Sequence, residues 1–99
     1  MIPNKILILD FETRWSKADY TLSKMTAESY IRDPRFKAFG LAYKWYGSDA
    51  EPVWVSHDDI PAWLDTIDWG NISVLAHNAQ FDVAILSWIY GRQPKFILD

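Results

Sequence analysis

The sequence predicts an α/β domain in which an antiparallel three-stranded meander is joined to two parallel strands, with helices packed on the sheet. Three observations predict it. The apolar run Ile-Leu-Ile-Leu at residues 6–9 is typical of a buried strand. Residues 39–46 alternate with period two, as strands do. Two helical patterns flank the apolar stretch at residues 71–76, so helices and strands alternate in the second half of the chain.

Length and composition restrict the class of protein. Ninety-nine residues, 49% of them apolar, support one globular domain over residues 1–99. The absence of cysteine excludes disulfide frameworks, thiolate zinc sites and cysteine nucleophiles, and it fits the reducing cytoplasm in which we expect the protein. No apolar run approaches the roughly 20 residues of a membrane span, and the first residues lack a signal-peptide layout. The net charge of −3 argues against a large phosphate-binding surface, although bound divalent cations would reverse the sign at a carboxylate site.

The first half of the chain predicts three strands. The first covers residues 5–9 and is expected to be buried on both faces. Residues 13–38 carry most of the basic side chains, and apolar side chains there indicate a short helix or an ordered loop, which Asp33-Pro34 ends: Leu22, Met25 and Tyr30. One face of the second strand carries Phe39, Leu41, Tyr43 and Trp45. After a turn at residues 47–51, residues 52–56 return as a strand whose initial proline suits a sheet edge.

The second half predicts two helices and two more strands. Asp58 or Asp59 can cap a helix with Pro61 in its first turn and an apolar face at Ile60, Trp63, Leu64 and Ile67. A strand follows at residues 71–76, and then a helix at residues 79–90, which Gly91 ends. The last strand begins at Phe96.

Two acidic side chains follow the first apolar run. Asp10 and Glu12 point to the same side of a strand, with Phe11 on the other, and their Cα atoms are expected about 6.6 Å apart. Like charges held that close call for a positive partner, and a divalent cation bound by oxygen ligands would make this a metal-dependent catalytic site. The alternative is that the strand ends in solvent at this point and that the two acids are ordinary solvated surface residues.

A third carboxylate lies in the first turn of the last helix. Asp82 shares a helix stripe with Leu86 and Ile89 and is flanked by Ile85, while Val83 and other apolar side chains cover much of the remaining circumference. A buried carboxylate is unfavourable unless it is paired or binds a metal. The alternative to a metal ligand is an aspartate satisfied by an arginine or by N–H groups of its own helix. We expect the strands that precede Asp10 and Asp82 to be neighbours, so that the three carboxylates meet at one end of the sheet.

These residues resemble the motifs of a known family. Leu-Asp-Phe-Glu-Thr at residues 9–13 resembles the first motif of the DEDD (DnaQ-like) 3′–5′ exonucleases, and His-Asn-Ala-Gln-Phe-Asp at residues 77–82 resembles the second. Residues 30–36 resemble the intervening segment in the proofreading domain of phage and phage-like family A DNA polymerases, and residues 97–99 resemble the following strand. The resemblance covers essentially the whole chain. It implies a ribonuclease H-like mixed sheet and a DNA-degrading nuclease.

The resemblance also implies roles for individual residues. Asp10, Glu12 and Asp82 would be the catalytic metal ligands of a two-metal site that uses Mg²⁺ or Mn²⁺. Four further residues are candidates for holding the terminal nucleotide of a single-stranded DNA 3′ end: Phe11, Thr13, Asn78 and Phe81. Core packing is the alternative for Phe11, and helix capping is the alternative for Asn78.

The chain departs from the family after its second motif. The family has a fourth aspartate, with a tyrosine or histidine upstream as general base, on a later helix. Residues 1–99 do not reach that motif, and Asp99 is a poor substitute. His57 and His77 are not positioned to act as the base, and we expect both to be surface or packing residues. We therefore expect a partial domain with little or no activity unless a polymerase domain or a second chain supplies the missing C-terminal helix.

Two functions remain in competition. The preferred one is a metal-dependent 3′–5′ exodeoxyribonuclease that releases nucleoside monophosphates in the host cytoplasm. The other is a non-enzymatic ribonuclease H-like module that binds protein or single-stranded nucleic acid. Aromatic side chains near the basic segment could stack bases, or could be core or a self-association face: Trp15, Trp45 and Tyr46. Residues 49–68 contain six acids and no Lys or Arg, which predicts either a face turned away from nucleic acid or a merely solvated one.

Overall fold

The computed structural model of the chain describes residues 5–98. Five strands and three α-helices follow one another in these residues: β1 Lys5–Thr13, α1 Ala27–Arg32, β2 Ala38–Trp45, β3 Val53–Ser56, α2 Ile60–Leu64, β4 Ile72–Leu75, α3 Ala79–Ala84 and β5 Phe96–Leu98. Short 3₁₀ turns lie at His57–Asp59 and Trp69–Asn71, and a π-helical turn at Ile85–Ile89 continues α3. The predicted order of elements is confirmed.

The strands form one mixed sheet in the order β3-β2-β1-β4-β5. β2 pairs antiparallel with both β1 and β3, whereas β4 pairs parallel with both β1 and β5. The predicted meander and parallel pair are therefore confirmed. The predicted neighbourhood of the strands that precede Asp10 and Asp82 is confirmed too, because Leu7 of β1 lies opposite Val74 of β4.

β1 differs from its prediction in length and in cover. It continues to Thr13, so Asp10 and Glu12 lie within the strand rather than beyond its end. Leu7 and Phe11 are buried in the core on one face, whereas the opposite face is half-buried at Ile8 and exposed at Asp10 and Glu12. The expectation that this strand is buried on both faces is therefore wrong. Side chains alternate between the two faces, and the helices that contribute to the core cover only one of them.

The basic segment between β1 and β2 is ordered around two tyrosines. Tyr20 and Tyr30 are fully buried and stack with ring centroids 4.3 Å apart, and the Tyr20 hydroxyl donates to the Tyr30 carbonyl at 2.6 Å. α1 begins at a capping residue, Thr26, whose side chain accepts from the Ser29 N–H at 3.1 Å. Of the two predicted alternatives, the short helix is present, and its Tyr30 is a core residue.

The other two helices are shorter or less regular than predicted. α2 has five residues, and Asp59 occupies its N-cap position without a side-chain capping hydrogen bond. Ile60 and Leu64 bury its core face as predicted. In the π-helical turn the chain gains residues per turn, which rotates later side chains away from the stripe of Asp82. Ile89 is therefore exposed, and its predicted place on that stripe is wrong. None of the helices within residues 5–98 is both long enough and apolar enough to span a membrane.

Candidate metal and catalytic site

The site begins where β1 extends past its parallel neighbour. The pairing of β1 with β4 ends at Ile8, opposite Leu75, whereas β1 continues for five more residues. Asp10 and Glu12 lie on this extension, on the face away from the core, and their neighbours on β2 are small: Ala42 and Gly40. A change of register between Glu12 and Thr13 marks a bulge, a feature that re-aims side chains and is common beside functional sites. The two acids are thus held on a paired strand and are exposed to solvent.

Asp82 joins this extension from the first turn of α3. It is 2% exposed, and its Oδ1 accepts a hydrogen bond of 3.0 Å from the backbone N–H of Phe11. Phe11 is the residue between Asp10 and Glu12, so this hydrogen bond brings the third carboxylate to the part of β1 that carries the other two. The donor is a strand N–H from 71 positions earlier in the chain, which differs from both predicted alternatives to a metal ligand, an arginine and the helix's own N–H groups.

The electrostatics of the three carboxyl groups are connected. Burial raises the pKa of Asp82 from 3.8 to about 7; the Phe11 N–H opposes this by favouring the charged form, and the charges of Asp10 and Glu12 raise the pKa further. Partial loss of hydration raises the pKa of Glu12, and Asp10 adds to it through its charge and a hydrogen bond between the two side chains. Asp82 and Glu12 thus both respond to neighbouring carboxylates, and a cation among them would relieve the repulsion.

The donor chemistry of this group suits a hard divalent cation, because all three side chains offer carboxylate oxygens. Within residues 5–98, however, no three His, Cys, Asp or Glu side chains already form a group that could hold a metal ion. Asp82 is directed at the Phe11 N–H, while Asp10 and Glu12 are exposed on β1. Convergence of the three on shared ions therefore stays a prediction.

The four candidate nucleotide-binding residues separate into two kinds. Phe11 and Phe81 are core residues: Phe11 stacks on Tyr90 with centroids 6.1 Å apart, and Phe81 packs on Tyr30. Core packing, the alternative given for Phe11, is thus what its side chain does. Thr13 and Asn78 lie nearer the surface.

Thr13 and Asn78 keep polar groups near the carboxylates. The Thr13 hydroxyl lies 2.9 Å from the Tyr30 hydroxyl and lines a cleft of about 210 Å³ that also includes Glu12. Asn78 is exposed at the N-cap position of α3, and its side chain makes no capping hydrogen bond. Capping, the alternative offered for Asn78, is therefore wrong, and its amide remains open to solvent.

The remaining sequence candidates lie apart from this group. His57 follows β3 and its Nδ1 lies 2.7 Å from the Ala38 carbonyl oxygen, which makes it a packing residue as expected. His77 is exposed before α3. Asp99 lies outside the described residues. The acids of residues 49–68 are exposed on the turn after β2, on the 3₁₀ turn and around α2.

Sequence reasoning missed the residues that fix the end of β1. Tyr30 donates from its hydroxyl to the Arg14 carbonyl and contacts Thr13, while its ring packs on Phe81 of α3. It also missed the Phe11 N–H as the partner of Asp82. No local periodicity carries these contacts. The sequence contains no signal for them, because the strand predicted at residues 5–9 is no longer than the one predicted at residues 71–76, so nothing indicates that β1 extends past β4.

No family model matches this chain, and neither does any curated protein or any solved structure.

Proposed function

We propose that this chain is the carboxylate-bearing part of a divalent-metal-dependent 3′–5′ exonuclease domain of the DEDD type, acting on single-stranded DNA 3′ ends. The sheet order supports a ribonuclease H-like fold of the kind that the two motifs imply. The motifs alone would not carry the proposal, because short acidic patterns recur by chance.

The observation that carries the proposal is the hydrogen bond from the Phe11 N–H to Asp82. It joins the two motif segments through residues that are 71 positions apart. The donor, Phe11, is the residue between Asp10 and Glu12, so the bond brings Asp82 to the other two acids. A carboxylate buried to 2% exposure beside two others is unfavourable for folding alone. Groups arranged against stability in this way are typical of functional sites.

The residues of the site would divide the work as follows. Asp10, Glu12 and Asp82 would hold Mg²⁺ or Mn²⁺, whose chemistry is to activate a water and to stabilise the leaving 3′ oxygen. The Phe11 N–H orients Asp82, and the stack of Phe11 on Tyr90 fixes that part of β1 against the helix end. The contact of Thr13 with Tyr30 fixes the end of the strand. Asn78, which is exposed one helical turn before Asp82, would contact the terminal nucleotide.

Catalysis by residues 1–99 alone would be weak. The resembled family uses a fourth aspartate and a tyrosine or histidine base from a third motif, which these residues do not contain. A further segment or a partner chain would supply them. Without that fourth aspartate, one of the two ions would be bound more weakly.

Degradation of a 5′-labelled single-stranded oligonucleotide with Mn²⁺ tests the proposal. We expect slow, stepwise shortening from the 3′ end by the wild-type chain and none by Asp10→Ala. Asp49→Ala, which removes an exposed aspartate between β2 and β3, should behave as wild type. Equal degradation by all three proteins would contradict the proposal, since the activity would then not depend on the carboxylate group.

A second candidate function, metal-independent binding of single-stranded nucleic acid, is favoured by one observation. Trp15 is 66% exposed next to the basic residues Arg14 and Arg35. Binding in EDTA, with no degradation under any metal condition, would favour that function over the enzyme.

A further inference from the structure

The loop after β1 presents an aromatic side chain to solvent on a fixed backbone. Trp15 is 66% exposed, yet the N–H and the carbonyl of the preceding residue, Arg14, both take part in hydrogen bonds. The Arg14 N–H donates to the Lys37 carbonyl at 2.8 Å, and the Arg14 carbonyl accepts from the Tyr30 hydroxyl. Tyr30 is itself fully buried, so this side of Trp15 is tied to the core.

The residue after Trp15 is equally well held. The Ser16 N–H donates to the Tyr20 carbonyl at 2.7 Å, and the Tyr20 N–H donates back to Ser16 at 3.0 Å. Lys24 closes the loop from outside by donating to the Ala18 carbonyl at 2.8 Å. A large apolar ring exposed on a flexible loop needs no explanation. The Trp15 ring, however, is exposed on a backbone that hydrogen bonds fix on both sides, and such a ring is preorganised to stack on another flat group.

Two surface clefts meet at Trp15. One of about 240 Å³ is lined by Arg14, Asp19 and Arg35, and the other, of about 210 Å³, includes Glu12 and Thr13. Trp15 lines both, so one continuous surface leads from Glu12 past the indole to the arginines. Each cleft is smaller than the roughly 300 Å³ at which enclosed small-molecule sites begin. The shape suits a chain that crosses the surface better than a small molecule held in a pocket.

The charge of this region is opposite to that of the rest of the molecule. Residues 14–37 contain six Lys and Arg against three acids, whereas the remaining residues contain four against ten. Arg35 is fixed by Asp33, with Nε and Nη2 within 3.0 Å of its carboxylate, and lies over the Tyr20 ring at 4.6 Å. Of the two arginines that line the larger cleft, Arg35 is ion-paired, whereas none of the ion pairs within residues 5–98 includes Arg14, so the Arg14 guanidinium is available to a phosphate.

We propose that this surface binds a nucleotide of a single-stranded nucleic acid, upstream of the end that reaches the carboxylates. The base stacks on Trp15 and the neighbouring phosphate contacts Arg14. The inference deepens the proposed function and rests on it for the direction of the strand. Stacking on an indole is tolerant of sequence, as an enzyme that shortens any 3′ end requires.

Fluorescence anisotropy with a labelled oligothymidylate of about ten nucleotides tests this directly, in EDTA so that no cleavage occurs. We expect Trp15→Ala to weaken binding by roughly 5- to 150-fold, the loss typical of one stacked base, and Trp15→Phe to retain most of the affinity. Tyr46→Ala is the matched control and should bind as wild type. Tyr46 is 68% exposed but follows the last residue of β2, whereas the loop of Trp15 contacts Lys37 just before the first, so the structure separates two aromatic residues that the sequence had grouped.

A salt titration tests the phosphate contact. Arg14→Ala should lower the slope of log Kd against log salt concentration by about 0.7, the value for one phosphate of a single strand. Equal affinities of Trp15→Ala and Tyr46→Ala, or no wild-type binding, would overturn the inference. These results are distinct from a failure of the proposed function, which would show as binding in EDTA together with no degradation that depends on Asp10.

Discussion

Replacing Asp82 with asparagine measures the free-energy cost of burying the Asp82 charge beside two other carboxylates. The asparagine side chain keeps an Oδ1 that can accept from the Phe11 N–H, so the 3.0 Å hydrogen bond has a replacement acceptor. What Asp82→Asn removes is the charge. The variant therefore separates the effect of burying a carboxylate from the effect of losing its contact.

The magnitude follows from the pKa of Asp82. A rise from 3.8 in the unfolded chain to about 7 in the fold corresponds to about 4 kcal/mol at 1.36 kcal/mol per pH unit. Because the folded pKa is the higher one, this stability is fully present below about pH 4 and is lost as the pH rises to about 7. Between pH 5 and pH 8, the wild-type free energy of unfolding should fall by about 2.5 kcal/mol from this group alone.

Urea unfolding in EDTA at pH 5 and pH 8 measures the effect. From pH 5 to pH 8, we expect the free energy of unfolding of the wild-type chain to fall by about 2.5 kcal/mol more than that of Asp82→Asn. Asp49→Asn should behave as wild type. Mn²⁺ at pH 8 should restore the stability of the wild-type chain and have little effect on Asp82→Asn. If wild type and Asp82→Asn lose the same free energy, Asp82 does not carry a strongly raised pKa and the reasoning is refuted.

Two substitutions test the packing that positions the site. A Cβ on Gly40 would lie 2.6 Å from the backbone carbonyl oxygen of Val55 and would also contact the Trp54 ring, so Gly40→Ala should lower the free energy of unfolding by about 1–3 kcal/mol in urea denaturation. Gly70→Ala, with nothing within 4 Å of the added Cβ, is its control, and an equal cost for both would contradict the packing. Tyr20→Phe leaves the buried Tyr30 carbonyl without its 2.6 Å donor and should cost about 1–3 kcal/mol; unchanged thermal unfolding would show that this hydrogen bond does not hold the loop.

Much of the fold followed from local patterns, because strands and helices leave different periods in the sequence. The run at residues 6–9, the alternation at residues 39–46 and the helix face of Ile60 and Leu64 all reported true elements. The patterns failed where burial depends on distant parts of the chain. The length of β1 was set by pairing with β2 rather than by its own apolar residues, and the π-helical turn that exposes Ile89 has no periodic signature.

The site was predictable as a set of residues, but its internal geometry was not. The spacing of Asp10 and Glu12 indicated that they share a strand face, and the apolar residues around Asp82 on its helix indicated that it is buried; both are found. The contact of Asp82 with a backbone N–H leaves no trace in residue identity, since every residue except proline carries that donor. The fixed backbone on either side of Trp15 depends in the same way on hydrogen bonds of the Arg14 and Ser16 peptide groups, which composition does not report.

Mn²⁺ binding, followed by calorimetry on the wild-type chain and on Asp10→Ala, Asp82→Asn and Asp49→Ala, tests most directly whether the three carboxylates form a metal site. We expect the wild-type chain and Asp49→Ala to bind Mn²⁺ equally, and both Asp10→Ala and Asp82→Asn to lose most of that binding. Undiminished binding by Asp10→Ala and Asp82→Asn, or no binding by the wild-type chain at millimolar Mn²⁺, would contradict a metal-dependent nuclease site at the end of β1.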